Sequence, residues 1–551
     1  MKKLGLLLIF IIGFINVNAQ LQDKYLIKFT DKNNSPFSLS NPQQFLSARA
    51  ILRRTTQNIA LTDNDLPVNP AYLSNISSVG AQIINKSKWF NSAIVTINNP
   101  ANVSIIEALT FVNSVTRIIG DNLLTQPLPD KQLPELNNSS NRTIVELGYG
   151  GGFDQINQLN GIPLHNIGFT GKGIYIAVLD AGFNGYSTLP VFDSLLLQNR
   201  ILGTYDFVTN ETNVEGDDSH GTNVLSTMAA NVPDVFIGTA PHASYYLLRT
   251  EDAPTEYLVE EYNWAAGAEF ADSAGCDIIN SSLGYTEFDA ASQNHVRADL
   301  NGNTTPVTQA ANIAASKGIL VCNSAGNSGN DPWFYVGAPA DGDKVFSIGA
   351  VDINGTVAGF SSRGPNSANL LKPNVSALGS GAFVAYSSGG YGTANGTSFS
   401  CPILAGMSAC LLQSSPLSTN FQLMDVIQKS STKALNPDFE VGYGIPNFNN
   451  AMLTLGVDIM TDAEKEKISF YPNPAKTSSS IKFFAKQTGL YVLTVIDLNG
   501  KLINKKSISI NNPGVQTLQD FINPLQMVNG LYFLQLQTQT ETMVTKFSVL
   551  N

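Results

Sequence analysis

Cysteine is scarce in this chain, with four residues in 551, whereas small disulfide-built domains contain far more. Disulfides are therefore not expected to hold the fold together. Cys401 and Cys410 stand nine positions apart on one predicted helix, roughly 13 Å at about 1.5 Å per residue, which is too far for a bridge. Cys276 and Cys322 lie in or just before apolar strands, and all four are predicted to be buried free thiols. With no Cys-x-x-Cys pair and no His/Cys cluster, nothing in the sequence indicates a zinc site.

Charged side chains are also few, at 14% of the chain against 43% hydrophobic residues, and the formal net charge is −11. This composition is typical of a globular protein rather than a disordered one. An acidic chain without a Lys/Arg cluster is a poor candidate for binding nucleic acid or an anionic membrane. A length of 551 residues predicts two to four domains.

Long apolar runs are missing after the N-terminus, where no stretch approaches the roughly 18 residues that a membrane helix requires. The N-terminus itself has a basic head (residues 1–3), an apolar run (4–15) and the small-residue pattern Val17-Asn18-Ala19. These features predict a secretory signal peptide at residues 1–19 and export from the cytoplasm. An N-terminal core strand or a membrane anchor is the alternative interpretation.

The remaining chain divides into segments with different patterns. Residues 20–125 alternate short strands and helices, as a small α/β domain does, and the Pro/Asn/Ser-rich stretch 125–143 predicts a linker. Over residues 145–457, strands that are apolar on both faces alternate with helices, which predicts a mainly parallel sheet covered by helices in three α/β/α layers. After a second linker at 458–465, short alternating strands with Asn/Gly turns predict an all-β sandwich over residues 466–551.

Four polar residues stand where predicted strands end or a helix begins, namely Asp180, His220, Asn327 and Ser398. Ligands of an open parallel sheet bind beyond the carboxyl ends of its strands, so these side chains are candidates for one site. Each has an ordinary alternative: a turn aspartate, a loop histidine, an asparagine in a left-handed turn, or an N-cap serine. Taken singly, none of the four identifies the site.

A serine nucleophile needs a base with a pKa near neutrality, and histidine supplies it most readily. The chain has four histidines. His165 and His242 lie in loops without a local carboxylate and His295 lies in an irregular polar stretch, so His220 is favoured. Ser398 precedes a predicted helix, whose free N–H groups and positive dipole end suit a developing oxyanion.

Together these segments resemble the subtilisin-like serine proteases, or subtilases. The matching motifs are Val178-Leu179-Asp180-Ala181-Gly182, His220-Gly221-Thr222, Ala325-Gly326-Asn327 and Gly396-Thr397-Ser398, reinforced by segments 280–284, 360–365 and 372–374. The order Asp, His, Ser along the chain is also that of subtilisin. Any single match is weak, but seven in the right order over about 300 residues are highly specific.

The resemblance implies a secreted serine endopeptidase that works through an acyl-enzyme and is made as an autoprocessed zymogen. It implies that Ser398 is the nucleophile, that His220 is the general base and acid, and that Asp180 orients the imidazole. The Asn327 side chain and the Ser398 N–H are implied to bind the oxyanion. Substrate binding is implied for Ser282, Leu283 and Gly284, which would pair with an extended substrate backbone and line one wall of the S1 pocket.

Several positions depart from the family's pattern. Asn223 stands where a second histidine often follows the catalytic one, and Ala181 stands where serine or threonine is usual. Residues 231–234 lack the Asn-rich calcium loop of many relatives, so no cofactor is predicted and calcium is left open. Residues 286–306 read as an insertion near the cleft, with no role assigned. Gly337 and the wall 282–284 leave room for a large apolar P1 side chain.

The flanking segments resemble known modules too. Residues 20–125 resemble, by their arrangement, the inhibitory propeptide of the same family. Residues 466–551 resemble the C-terminal sorting domain of type IX secretion substrates, through Tyr471-Pro472-Asn473-Pro474 and segments 497–501 and 529–533. A generic binding sandwich is the alternative. The expected partners are thus protein or peptide substrates, the chain's own propeptide and a secretion machinery that exports it through the periplasm to the medium or the cell surface.

Two other functions fit the same scaffold. One is a catalytically silent secreted binding protein. The other is a peptide ligase or macrocyclase, which would form the same acyl-enzyme but exclude water from the second step. Nothing in the sequence demands either.

Overall fold

The computed structural model describes residues 23–119, 148–456, 467–510, 514–519, 521–538 and 541–550. The predicted signal peptide (1–19) and both predicted linkers (125–143 and 458–465) lie outside these ranges. Within them, no helix combines the length and apolar character that crossing a membrane requires.

The N-terminal domain is a four-stranded antiparallel sheet in the order β2-β3-β1-β4. Its elements are β1 (Lys24–Phe29), α1 (Ala48–Thr56), α2 (Pro70–Ser78), β2 (Ala81–Ser87), β3 (Ser92–Ile97), α3 (Ala101–Glu107) and β4 (Val112–Ile119), with 3₁₀ helices at Pro42–Gln44 and Asp63–Asp65.

The two faces of this sheet pack against different parts of the molecule. Because strand side chains alternate between faces, Ile27 packs with Ile76 of α2 and Ile106 of α3. The neighbouring residue Leu26 instead joins a cluster with Tyr262 of the following domain. The N-terminal domain therefore docks on the next domain through one face of its sheet.

The predicted elements of this domain occur with shifted ends. The helix predicted at 42–57 is a 3₁₀ turn followed by α1, and the helix predicted at 102–112 ends at Glu107. Helix α2 was not predicted, because its serines and its start at Pro70 give little helical signal. Its N-terminus is nevertheless well defined, since the Asn69 side chain accepts a hydrogen bond from the Ala71 N–H.

The central domain contains a seven-stranded parallel sheet in the order β13-β12-β11-β10-β5-β9-β6. Its strands are β5 (Tyr175–Asp180), β6 (Ile201–Asp206), β9 (Ser244–Arg249), β10 (Ile278–Ser281), β11 (Leu320–Ser324), β12 (Phe346–Val351) and β13 (Val375–Leu378). Short antiparallel pairs are β7 (Asn231–Val232) with β8 (Phe236–Ile237), and β14 (Ser380–Ala385) with β15 (Tyr391–Asn395).

Helices cover both faces of this sheet. They are α4 (Phe153–Gln158), α5 (Ile162–Asn166), α6 (Asp193–Leu197), α7 (His220–Ala229), α8 (Val259–Ala274), α9 (Pro306–Ser316), α10 (Thr397–Ser414), α11 (Asn420–Lys429) and α12 (Phe448–Thr454), with 3₁₀ helices at Pro190–Phe192, Ala291–Gln293 and Arg297–Asp299. In β5, Val178 joins the core under α7 and α10, whereas Leu179 joins the core under α8 and α9. Burial on both faces explains the unbroken apolar run, and the predicted three-layer α/β/α fold is confirmed.

The C-terminal domain is all β. Its strands are β16 (Ser469–Tyr471), β17 (Ser480–Ala485), β18 (Gly489–Asp497), β19 (Leu502–Ile510), β20 (Gly514–Leu518), β21 (Gly530–Gln537) and β22 (Thr542–Val549), with a 3₁₀ helix at Pro524–Gln526. They form antiparallel sheets of order β16-β17-β20 and β19-β18-β21-β22 around a shared core that contains Phe483, Leu493 and Phe547. The predicted β-sandwich is confirmed, as is the burial of all four cysteines as free thiols.

Candidate active site

Asp180 and His220 meet at the carboxyl edge of the parallel sheet. Asp180 is the last residue of β5 and is fully buried, and His220 is the first residue of α7. The His220 Nδ1 atom lies 2.7 Å from Asp180 Oδ1, and the His220 main-chain N–H donates to Asp218 Oδ1 at 2.5 Å. The imidazole is therefore held from its ring and from its backbone.

The two carboxylate oxygens of Asp180 have different surroundings, and the residue that follows, Ala181, contributes to the difference. Asp180 Oδ1 also accepts a hydrogen bond from the Ala181 N–H at 2.9 Å. Ala181 has no hydroxyl to offer, and within the described ranges Asp180 Oδ2 is buried without a hydrogen-bond partner. The carboxylate is thus oriented through one of its two oxygens.

Ser398 lies in the first turn of α10, which begins at Thr397, earlier than the sequence predicts. Pro402 is inside this helix and has no N–H for the carbonyl four residues before it, which is that of Ser398. The Ser282 hydroxyl donates to this carbonyl at 2.9 Å instead. Phe399, next to Ser398, contacts the His220 ring at a centroid distance of 6.1 Å, so the start of α10 lies beside the imidazole.

Asn327 holds the start of α10 from the neighbouring turn. Its Oδ1 accepts hydrogen bonds from the Thr397 N–H at 2.9 Å and the Thr397 hydroxyl at 3.0 Å. The Nδ2 group lies 3.7 Å from where a Cβ of Gly396 would stand. The left-handed residue of the turn is Gly326, at φ +103°, and Asn327 has no positive φ. Tolerance of left-handed backbone therefore does not explain the asparagine.

The segment Ser282-Leu283-Gly284 directly follows β10 at the same edge. The Leu283 carbonyl accepts a hydrogen bond from Asn323 Nδ2 at 3.0 Å, and a Cβ on Gly284 would meet only the Ala338 carbonyl, at 3.8 Å. The main chain of this segment is therefore held by Asn323, and the space beside Gly284 is free of other atoms. Across it, a Cβ on Gly337 would approach Thr286 Cγ2 to 3.3 Å, so the space there depends on glycine.

The other three histidines have different environments. Burial lowers the pKa of His165 to about 4, and burial lowers the pKa of His242 as well. Burial alone would also lower the pKa of His295, but the hydrogen bond and charge of Glu261 outweigh it and raise that pKa. The sequence missed this second histidine–carboxylate pair, because its two members are 34 residues apart and no motif links them.

The inserted segment 286–306 folds against the chain between β9 and α8. The Asp289 N–H donates to the Glu256 carbonyl at 2.8 Å, and the Glu256 N–H donates to Asp289 Oδ2 at 3.1 Å. The Gln293 side chain accepts from the Leu258 N–H at 3.0 Å and donates to the Ile118 carbonyl at the end of β4. The insertion therefore touches the N-terminal domain where its last strand ends.

In the part of the chain that the structure describes, three buried carboxylates lie close enough to hold a metal ion, those of Glu251, Glu256 and Glu260. The Tyr285 hydroxyl donates to Glu251. Residues 231–234, where many relatives have a calcium loop, contain strand β7 and the turn to β8. No calcium ligand set can be assigned from these positions.

Comparison with known proteins places three families along the chain. Residues 171–444 match the Subtilase family of S8 peptidases, residues 24–132 match the S8 peptidase propeptide domain of Bacteroidota, and residues 469–550 match the secretion system C-terminal sorting domain. Subtilisin E of Bacillus subtilis (strain 168) is 32% identical over 300 residues, which cover 54% of this chain and 70% of that protein. Subtilisin of Bacillus pumilus is also 32% identical over 300 residues, 54% of this chain and 97% of its own length. Alkaline elastase YaB of a Bacillus species is 31% identical over 293 residues, 53% of this chain and 68% of that protein.

The fold, the docked N-terminal domain and these relatives define a class of protein: a secreted serine endopeptidase made as a zymogen. Within that class, the chain belongs to the subtilase family, with a subtilisin-like catalytic domain. The C-terminal domain is a type IX sorting domain, which marks the protein for export to the medium or the cell surface.

Proposed function

We propose that Asp180, His220 and Ser398 are the catalytic triad of an endopeptidase that cleaves peptide bonds through an acyl-enzyme. The observation that carries this proposal is the 2.7 Å contact between His220 Nδ1 and Asp180 Oδ1. It fixes the tautomer in which Nε2 accepts the proton of Ser398 Oγ, while Asp180 stabilises the imidazolium without itself becoming protonated.

The reaction then takes two matched steps. Ser398 Oγ attacks the scissile carbonyl carbon as its proton passes to His220 Nε2, and His220 gives that proton to the leaving amine, so an acyl-serine and a free amine form. In the second step water attacks the acyl-serine with the same base, which releases the acid and restores Ser398. The chemistry needs no cofactor.

Two groups at the start of α10 are placed to stabilise the oxyanion. The Ser398 N–H lies in the first turn, where helix N–H groups have no intrahelical partner. The Asn327 Oδ1 is engaged by Thr397, so its Nδ2 group is the part of the amide that can donate to the substrate. Both donors are set before substrate arrives, as oxyanion stabilisation requires.

Substrate binding is proposed for Ser282, Leu283 and Gly284. Their main chain continues β10 at the cleft edge, so an extended substrate can add to it by backbone hydrogen bonds. The glycine at 337 keeps the opposite wall free of a side chain, which supports acceptance of a large apolar P1 residue.

The remaining proposal concerns processing of the chain. We assign residues 1–19 to a signal peptide, 20–125 to a propeptide, 145–457 to the catalytic domain and 466–551 to the sorting domain. The enzyme would cut its own chain between propeptide and catalytic domain. Sequencing the N-terminus of the mature secreted protein locates that cut.

The test is the Ser398→Ala variant of the full chain. It is expected to lose casein hydrolysis, to lose labelling by a fluorophosphonate probe, and to keep its propeptide attached. Ser400→Ala, two residues further along α10, is the matched control and is expected to keep all three properties. Casein hydrolysis that survives Ser398→Ala would refute the assignment, and an unlabelled, inactive native chain would favour a silent binding protein. The masses of the products from a defined peptide distinguish hydrolysis from ligation.

A further inference from the structure

Residues 47–57 of the N-terminal domain, here called the arm, lie outside its four-stranded sheet and dock on the catalytic domain. The arm consists of Ser47, helix α1 and Gln57. It reaches the C-terminal ends of two neighbouring helices, α8 and α9. Among the described residues, the hydrogen bonds and ion pairs of the arm involve neither the proposed triad nor the substrate segment 282–284.

At the end of α8, the arm donates hydrogen bonds to successive main-chain carbonyls. Ser47 donates from its N–H to the Ser273 carbonyl and from its hydroxyl to the Ala274 carbonyl, both at 2.9 Å. Arg49 Nε donates to the Gly275 carbonyl at 3.0 Å. The N–H groups of Gly275 and Cys276 already bond to the Ala271 and Asp272 carbonyls. The arm supplies partners for the carbonyls that follow, which a helix end leaves without intrahelical partners.

The arm also donates hydrogen bonds to the two main-chain carbonyls that directly follow α9. Arg53 Nε donates to the Lys317 carbonyl at 3.1 Å, and Gln57 Nε2 donates to the Gly318 carbonyl at 3.0 Å. Arg53 also donates to the carbonyls of Asp272 and Cys276 at the end of α8. One guanidinium group therefore joins two helix ends, where the dipoles favour a cation.

Glycines make this close approach possible. Gly275 and Gly318 follow α8 and α9 at φ +89° and +90°. A Cβ on Gly275 would stand 2.8 Å from the Ala50 nitrogen and the Arg49 Cβ, and one on Gly318 would stand 2.8 Å from Gln57 Oε1. The catalytic domain thus presents two bare backbone turns to the arm.

Asp272 is the electrostatic centre of the contact. It is fully buried and pairs with Arg53 at 2.7 Å, Arg54 at 2.8 Å and Lys88 at 3.0 Å, all from the N-terminal domain. Burial alone would raise the pKa of Asp272, but these cations hold it well below its usual range. Asp272 is therefore ionised in the docked chain and binds three cationic side chains.

A second carboxylate closes the network from the other side. Asp65 of the N-terminal domain pairs with Arg54 at 2.7 Å and with Lys317 of the catalytic domain at 2.8 Å. Asp272 and Lys317 are thus two buried charges of the catalytic domain that form ion pairs with the N-terminal domain. Removing one partner while the two domains stay docked leaves a buried charge unpaired, which is strongly destabilising, so these ion pairs hold the domains together.

From these contacts we propose that the surface formed by Asp272, Lys317 and the two helix ends is a second anchor for the propeptide, separate from the cleft. Its partner is a short helix with arginines at the spacing of Arg49, Arg53 and Arg54. A cut between propeptide and catalytic domain then leaves the propeptide bound until the arm is released. The proposal rests on the zymogen arrangement and not on the identity of the triad.

The test uses the full chain with Ser398→Ala, so that no self-cleavage occurs, and with a recognition sequence for an added protease inserted within residues 120–147. After that protease has cut, size-exclusion chromatography follows loss of the propeptide over time. The Arg53→Met/Arg54→Met variant keeps the apolar stems of both side chains but removes both guanidinium groups. We expect it to lose its propeptide about 100-fold faster, since breaking a buried ion pair acts mainly on dissociation. Asp272→Asn, on the catalytic-domain side, is expected to accelerate loss in the same direction.

Two controls separate anchoring from a general disturbance of the propeptide. Lys28→Ala removes an exposed cation from the same domain, and Leu52→Ala changes a 64% exposed side chain of α1 itself; both are expected to retain the propeptide like the parent. Dissociation of the Arg and Asp272 variants within about threefold of these controls would overturn the proposal. If the double variant does not fold, Asp272→Asn and Gln57→Ala decide. Because the added protease makes the cut in every variant, the readout requires no self-cleavage and can fail independently of the proposed peptidase chemistry.

Discussion

Replacing Ser282 with alanine tests how the first turn of α10 is held. Because Pro402 has no N–H, the Ser398 carbonyl has no partner within the helix. It accepts a hydrogen bond from the Ser282 hydroxyl at 2.9 Å instead. Ser282→Ala leaves this buried carbonyl without that partner, which costs about 1–3 kcal/mol. The expected result is a fall of several degrees in the melting temperature of the catalytic domain.

The neighbouring proline makes the prediction sharper. Pro402→Ala restores an N–H four residues after Ser398, so the helix itself can satisfy the carbonyl. Ser282→Ala is then expected to cost at most about 0.5 kcal/mol in the Pro402→Ala background, which gives a coupling energy of about 0.5–3 kcal/mol in the double-mutant cycle. The helix propensity of alanine at position 402 is the same with serine and with alanine at position 282, so it cancels from the coupling energy.

Differential scanning calorimetry of the full chain is the assay, with Ser398→Ala in every variant to prevent self-digestion. Ser281→Ala is the matched control, because its hydroxyl accepts from the Trp264 indole instead and is not coupled to Pro402. If Ser282→Ala costs the same with proline and with alanine at 402, the account of this carbonyl is wrong.

Three further predictions concern the site and its surroundings. Asn327→Ala is expected to lower kcat about 10²–10³-fold, the effect known for subtilisin itself, with a smaller change in KM; steady-state kinetics on a peptide substrate checks this, and an unchanged kcat would contradict the role. Gly337→Val is expected to shift P1 preference from large to small residues, because the new side chain crowds Thr286 from a Cβ position only 3.3 Å away; a peptide library measures it, and an unaltered profile argues against the pocket. The pKa of His295 is raised by its contact with Glu261, so this pair stabilises the fold below pH 6.5 and less as the pH rises through the raised pKa. The loss of melting temperature in His295→Gln is accordingly expected to be larger at pH 6 than at pH 9, and an equal loss would exclude the ionised pair.

Much of the catalytic domain could be predicted because its signals are local. The strand ending at Asp180 is apolar at every position because both faces of the sheet are covered, and such runs are visible in the sequence. Glycines and small residues next to Ser398 and Asn327 form motifs that occur in one order along the chain. The proximity of those residues followed from the rule that the carboxyl ends of parallel strands meet at one edge.

Element ends were less predictable, for an identifiable reason. The sequence placed Ser398 just before a predicted helix, yet α10 begins at Thr397. The helix continues through Pro402 because Ser282, 116 residues earlier in the chain, satisfies the freed carbonyl. A local pattern contains no information about such a distant donor.

By itself, the sequence determined the fold class and the order of the modules and singled out four candidate site residues, because periodicity, turn chemistry and short motifs are properties of neighbouring residues. Only the tertiary structure decided which groups pair over long distances: Glu261 with His295, Ser282 with the Ser398 carbonyl, and the arginines of the arm with Asp272. Hydrogen bonds and ion pairs depend on the positions of atoms to within a few tenths of an ångström. Those positions are set by how the sheet and helices pack and not by separation along the chain.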